Sequence, residues 1–458
     1  MERFDFVIIG AGPGGEAAVY EARRRGATVA VVDREWFGGS CPHIGCVPSK
    51  SLLNSSARHE AGAAYSWEQA STRRDYMVNR PADAGEPDDG GHVAGLEGVG
   101  ALVYRGTARL AGVGLVDIEH DGTTHRVGAS NVIVAVGSAS KVPPLPGLTG
   151  ATVWTNREAT LARVLPKSLI VLGGGPTGCE MAQVYRRFGV PTTVVQSGPR
   201  ILATDHPRNA EAVTAGLEAS GVVVRTGVRA LGVRPGAGVD GADVLDLDDG
   251  SSLDGHAILL AVGRTYPVDD LGLEHYGIDA RGGTGFPRDG RLRLADGLYL
   301  VGDAAGPEMH THQAHYQGEM AVRMALGEAL IPDYRALPRA TYTDPEAASV
   351  GLSLDEAQAA GFDAFELVAN FRETAKGYSV EATTGHVTIV VDRATHELLG
   401  AAMACPDASA AIHECVLAIK ARILIEVLAD TIHAFPSTSR IFNGLFNDAA
   451  RELAAAAG

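Results

Sequence analysis

Short unbroken apolar runs, each ending at glycine, recur along the chain and predict buried strands that feed tight turns. Phe6-Val7-Ile8-Ile9 runs into Gly10-Ala11-Gly12-Pro13-Gly14-Gly15, after which Glu16 to Arg25 reads as a helix and Thr28 to Val32 as a second strand. Ser168 to Leu172 runs into Gly173-Gly174-Gly175-Pro176-Thr177-Gly178, followed by a helix from Cys179 and a strand over Thr192 to Val195. The device therefore occurs twice, as an internal repeat. Three further runs end the same way: Val132 to Ala135 before Gly137-Ser138, Ile258 to Val262 before Gly263-Arg264, and Leu298 to Val301 before Gly302-Asp303. From Pro338 the character changes, with strand-like Val387 to Val391, a helical pattern over Ala411 to Arg422 and no nucleotide fingerprint.

A strand, glycine turn, helix and strand in that order form a phosphate site. In the first copy Gly10 makes the turn, Gly12 lets backbone N–H groups approach a pyrophosphate, and Gly15 permits close helix packing, with the anion at the positive end of the helix. Asp33, eighteen residues after Gly15, is placed to hold ribose hydroxyls, so this half is expected to bind a dinucleotide. Gly173, Gly175 and Gly178 repeat the spacing, but eighteen residues beyond Gly178 stands Gln196. Loss of the acid removes the group that would repel a 2′-phosphate, and Arg200 offers positive charge nearby, which gives NADPH a modest preference over NADH. The alternative is that Arg200 caps a loop while Gln196 binds the ribose. Asp303 is a candidate for a ribityl hydroxyl, Pro143 to Gly147 is turn-rich enough to mark a domain boundary, and Pro81 to Gly91 reads as a solvated loop.

Composition changes the picture mainly by exclusion. The chain has 458 residues, 45% hydrophobic and 21% charged, enough for three or so domains with their own cores. A net charge of -16 disfavours nucleic acid and anionic membrane surfaces as partners and leaves small ligands. Five cysteines are too few for a secreted disulfide framework, and Met1-Glu2-Arg3 runs straight into a strand, so a cytoplasmic protein without a membrane span is expected.

The richest stretch is Gly38-Gly39-Ser40-Cys41-Pro42-His43-Ile44-Gly45-Cys46-Val47-Pro48-Ser49-Lys50. Two cysteines five positions apart can close a small, strained, reducible disulfide, which suits electron exchange better than stapling a fold. A metal site made of Cys41, His43 and Cys46, and a pair of incidental buried thiols, are the competing readings, but no second pair at zinc-site spacing exists. Ser51 to Ser66 looks helical, which would put Lys50 at the helix start.

These residues together resemble the pyridine nucleotide-disulfide oxidoreductases with a C-x4-C centre, the family of dihydrolipoamide dehydrogenase, glutathione reductase and mercuric reductase. The resemblance rests on both glycine fingerprints, Gly-Gly-Ser-Cys-x4-Cys-Val-Pro-Ser-Lys, Gly302-Asp303 and Asp344-Pro345-Glu346, and it covers nearly the whole chain. It implies an α/β fold with two Rossmann-like domains, for FAD (1–150 and 266–335) and NAD(P)H (151–265), an α+β dimerisation domain (336–458), and a homodimer. It also implies that Cys41 is the interchange thiol, that Cys46 is the charge-transfer thiol against the flavin, and that Lys50 and Glu180 form an ion pair by the flavin.

The C-terminal motif departs from that pattern. Where dihydrolipoamide dehydrogenase-like members have His-x-His-Pro-Thr-x-x-Glu, this chain has His433-Ala434-Phe435-Pro436-Ser437-Thr438-Ser439-Arg440, so Phe435 replaces the catalytic His and Arg440 the Glu. Phenylalanine transfers no proton, and arginine stays charged at any working pH. No cysteine follows Cys415, which sets the chain apart from mercuric reductase, whereas Phe435, the cation at 440 and Ser40-Cys41-Pro42-His43 are similar to 2-ketopropyl-coenzyme M oxidoreductase/carboxylase. The expected activity is electron transfer from NAD(P)H through FAD and Cys41/Cys46 to a small sulfur substrate bearing an anionic group, with His43, His433 or water as proton source. Reductive thioether cleavage and a non-catalytic flavoprotein sensor are the alternatives.

Overall fold

A computed structural model describes residues 1–79, 87–281 and 290–457, which fall into two compact units. The first comprises 1–51, 68–141 and 263–332, the second 52–67, 142–262 and 333–458.

In the first unit, Arg3–Ile9 lies within a mostly parallel sheet whose order is Arg293–Ala295, Leu298–Leu300, Thr123–Val134, Arg3–Ile9, Val29–Asp33, Leu102–Arg105, with only the Arg293–Ala295 edge antiparallel along this path. Phe6 pairs with Val29 on one side and Asn131 on the other. Strands enclosed on both edges and both faces need unbroken apolar sequence, which is why Phe6, Val7 and Ile8 are fully buried. Helices Pro13–Arg24 and Thr311–Ala325 cross at their glycines: a side chain on Gly318 would strike the Gly14 carbonyl oxygen. Strands Thr107–Gly112, Leu115–His120 and Thr123–Val134 form an antiparallel meander beside this sheet.

The second unit carries a parallel sheet in the order Val223–Thr226, Thr192–Gln196, Leu169–Leu172, Ala257–Leu260, Val153–Trp154. It also holds an antiparallel sheet in the order Arg339–Thr341, Ala347–Gly351, Leu398–Ala404, His386–Asp392, Ala364–Asn370. Helix Arg440–Ala457 buries Phe442, Leu445, Phe446, Ala449 and Leu453 in the same core as Val387, Ile389 and Met403 of that sheet.

Most strand expectations hold to within a residue or two, but the strand expected from Val132 begins nine residues earlier at Thr123 and that expected from Phe6 begins at Arg3, because their outer parts alternate or are exposed and carry no unbroken apolar run. Other boundaries differ as well. The glycine-turn helices start at Pro13 and Pro176 rather than at Glu16 and Cys179, because proline at the first helical position gives up only an N–H that has no partner there. The helix expected from Ser51 runs Cys46–Glu60, so Lys50 lies in its second turn: Pro48 falls within the first turn, where proline is tolerated, and does not bound the helix. Ser40–His43 forms a further short helix that was not anticipated. Of the loop expected over 81–91, residues up to 86 lie outside those described, and Gly90 and Gly91 open helix Gly90–Gly98.

Candidate active site

Both glycine turns are built the same way. Gly10 and Gly173 take φ of 98° and 102°, and each lies so close to a following strand end that a side chain would strike the carbonyl oxygen of Ala135 or Ala261. Gly15 and Gly178 pack their helices onto the carbonyls of Gly10 and Gly173, which leaves no room for a β-carbon. At Gly175 nothing stands within 4 Å of where a side chain would project. The residue at the end of each second strand reaches back to the turn: Asp33 Oδ2 accepts from Ala11 N at 2.8 Å, and Gln196 Oε1 accepts from Gly174 N at 2.9 Å. Burial pushes the Asp33 carboxyl up, while the N–H groups of Ala11 and Glu35 pull it down. Arg200 donates to the carbonyls of Leu202 (2.8 Å) and Ala203 (2.9 Å), so its guanidinium caps its own loop, the alternative considered above.

Gly137, Gly263 and Gly302 all have positive φ and lie in the first unit, where Arg264 donates to Ser138, Ser138 donates to Asp303, and Arg264 stands 3.5 Å from Asp303. Arg264 was missed as a site residue, although it directly follows a glycine that ends an apolar run.

Cys41 and Cys46 are both thiols, Cys41 partly covered and Cys46 exposed. Cys46 is the first residue of its helix, and its sulfur lies 3.5 Å from the hydroxyl of Thr311, the first residue of helix Thr311–Ala325. Thr311 carried no sequence signal. Hydrogen bonding to Cys46 and burial push the Cys41 thiol well up, against a smaller pull from Thr311, so Cys41 keeps its proton in the dithiol. His43 is 1% exposed; its Nδ1 lies 2.8 Å from Gly39 O, and its ring packs beside Trp36 and His92. Burial takes His43 out of reach of substrate and corrects its candidacy as a proton source. Lys50, half-buried, belongs to the first unit, and buried Glu180, which accepts from Tyr342 N at 3.0 Å, belongs to the second.

In the C-terminal stretch Phe435 is 73% exposed. His433 is tied down at both ring nitrogens, to Thr431 O at 2.9 Å and to Glu414 at 2.7 Å. Arg440 opens the last helix and donates to Asn443, which in turn donates to the carbonyls of Ala429 and Thr431.

The sequence profile of the pyridine nucleotide-disulphide oxidoreductases matches residues 4–318, and that of their dimerisation domain matches residues 337–445. The chain belongs to this family. It is 32% identical to dihydrolipoyl dehydrogenase of Chlorobaculum tepidum over 98% of both chains, and 33% identical to that of Thermus scotoductus over 96% of both. Among solved structures it superposes on LpdA of Mycobacterium tuberculosis with a TM-score of 0.86 at 28% identity, covering 99% of this chain and 100% of that one. The HOCl-induced flavoprotein disulfide reductase RclA of Escherichia coli, solved as a Cu(II) complex, shares the fold with a TM-score of 0.86 at 24% identity, covering 98% and 99%.

Membership makes the protein an enzyme of the flavoprotein disulfide oxidoreductases, which use FAD and NAD(P)H, and its dimerisation domain supports a homodimer. The residues present fit FAD. Gly39 sits so tightly against Gly12 that a β-carbon on it would stand 2.6 Å from the Gly12 α-carbon, which leaves a backbone-only cradle at the head of helix Pro13–Arg24. Among the described residues no helix is long and apolar enough to cross a membrane, and no group of three His, Cys, Asp or Glu could hold a metal ion.

Proposed function

We propose that the protein passes electrons from NADPH through FAD to the Cys41/Cys46 pair and on to a small sulfur substrate that carries an anionic group, without a histidine acid at position 435. The observation that carries this reading is the placement of Cys46 at the first turn of its helix, beside Thr311 and next to a Cys41 that holds its proton. The positive helix end favours a thiolate at Cys46, and Lys50 in the next turn adds charge of the same sign.

Gly10, Gly12, Gly15, Asp33, Gly137, Gly302 and Asp303 would hold FAD, which supplies two-electron exchange between nicotinamide and thiols when bound. Gly173, Gly175, Gly178 and Gln196 would hold NADPH. Gln196 takes over the structural bond of the missing acid without its charge, so the preference for NADPH rests on Gln196 and no longer on Arg200. We assign 1–150 and 266–335 to FAD, 151–265 to NADPH and 336–458 to the dimer contact, where Leu417, Val427, Ile432 and Phe435 are exposed.

In the reductive direction Cys41 passes its proton to the Cys46 sulfur beside it and attacks one substrate sulfur, forming a mixed disulfide and expelling a thiolate; Cys46 then loses that proton to water, attacks Cys41, closes the protein disulfide and releases the second thiolate. Neither Phe435 nor buried His43 protonates the leaving sulfur. Arg440, steadied by Asn443, would bind an anionic group on the substrate. The lack of a nearby acid also favours a second reading, reductive thioether cleavage, in which the released carbanion escapes immediate protonation.

The test is anaerobic reduction by NADPH followed by addition of anionic disulfides, neutral disulfides and thioethers, with flavin reoxidation as the signal. Anionic disulfides should reoxidise the flavin fastest and should bind more weakly to Arg440→Ala. Brisk turnover of a neutral disulfide, indifferent to Arg440→Ala, defeats the reading, and thioether-driven reoxidation selects the second one.

A further inference from the structure

A buried polar chain runs through the second unit from the antiparallel sheet to the glycine turn. The Asn209 amide donates to Asp205 Oδ1 and to Ala348 O, each at 3.1 Å, so its oxygen is left to accept from His386 Nε2 at 2.8 Å. His386 Nδ1 then accepts from the Thr388 hydroxyl at 2.9 Å, which fixes a neutral ring with its proton on Nε2. His386, Thr388 and Asn209 are all buried. Asp205 Oδ1 also accepts from the Ser349 hydroxyl at 2.6 Å and from His206 N at 2.7 Å.

From Asp205 the connection continues through backbone. Asp205 N donates to Leu202 O (2.9 Å) and Leu202 N to Gly174 O (2.8 Å); Gly174 N donates to Gln196. Leu202 is held at φ 46°, a left-handed conformation that leucine rarely adopts, and Ile201 packs where a β-carbon on Gly174 would stand, 2.6 Å from its Cγ2. A segment this constrained, lying against the turn that would receive the dinucleotide, persists only if its far end is pinned.

We propose that His386, acting through Asn209 and Asp205, is a positioning residue for the NADPH site, locking segment 196–205 in the arrangement that receives the adenosine end of the dinucleotide. This rests on the assignment of that turn to NADPH. His386 touches no reacting atom, so its loss weakens nucleotide binding and leaves the limiting rate of flavin reduction in place.

The experiment is stopped-flow reduction of the flavin-loaded enzyme over a range of NADPH concentrations, for wild type, His386→Phe, His386→Gln and Ser349→Ala. One buried hydrogen bond lost from the pin should raise the NADPH Kd about fivefold or more in His386→Phe, with the limiting rate within about twofold of wild type. His386→Gln, whose amide can donate to Asn209, should recover most of the loss. An unchanged Kd, or a fall in limiting rate without a change in Kd, overturns the proposal. Should His386→Phe fail to fold, Ser349→Ala removes the sheet-side bond to Asp205 without emptying the core, and an unchanged Kd there is equally decisive. Gln196→Glu is run alongside and should shift preference toward NADH. Indifference of Gln196→Glu overturns the nucleotide-site assignment itself, whereas a response there with an unmoved His386→Phe overturns only the positioning role.

Discussion

At the scale of single residues, the proposed reaction turns on Phe435 and Arg440, which stand where the resemblance implies a histidine and a glutamate. Phe435 stands exposed next to a turn that His433 anchors through Thr431 and Glu414, and its side chain cannot do acid chemistry. General acid catalysis is worth about 10² to 10⁴-fold. Phe435→His should therefore raise turnover of glutathione disulfide or lipoamide by roughly tenfold or more, short of the full factor because Arg440 cannot orient the new imidazole as a carboxylate would. Steady-state rates at saturating NADPH check this, and an unchanged rate would show that proton delivery does not limit the reaction.

At the scale of elements, the cofactor turns depend on helices packed closer than side chains allow. Helices Pro13–Arg24 and Thr311–Ala325 meet at Gly14 and Gly318, and the second of them carries Thr311 to the Cys46 sulfur. Gly318→Ala must push these helices apart, and overpacking of this kind costs typically about 1–3 kcal/mol. Denaturant titration should register that loss together with weaker flavin retention. A variant as stable as wild type, with full flavin content, would mean that the crossing has slack.

At the scale of the whole molecule, stability should depend on pH through buried histidine. Burial, helped by His206 and Arg208, pushes the His386 pKa down to about 3, while an unfolded histidine titrates near 6.5. Between those values the unfolded chain binds a proton that the folded protein refuses, so stability is full above about pH 6.5 and falls as pH drops toward 3. From this group alone the loss between pH 6.5 and 5 is roughly 2 kcal/mol. The neighbours are Asp205, His206, Arg208 and Glu366; His206 is itself pushed down by burial, against the pull of Glu366 at 3.4 Å, so the two histidines act in the same direction. Equilibrium unfolding at pH 7 and pH 5 should show the loss in wild type and much less of it in His386→Gln. Equal pH slopes in the two proteins would contradict the buried neutral ring.

Local sequence determined the strands, both glycine turns and the redox pair. Each depends on a few neighbouring residues: an apolar run buried on both faces, a glycine forced by a close backbone approach, two thiols within reach of each other. The chemistry of Phe435 and Arg440 is equally legible, because a side chain's ability to carry a proton belongs to its own structure. Only tertiary structure decided what surrounds those residues. Thr311 reaches Cys46 because a helix distant in sequence packs on Gly14, and His43 lost its role because Trp36 and His92 close over it. Arg200 turned to its own loop, and His386 joined Asn209 across 177 residues of chain. Burial and hydrogen-bond partners at such separations are set by how the elements pack, which no local pattern of residues encodes.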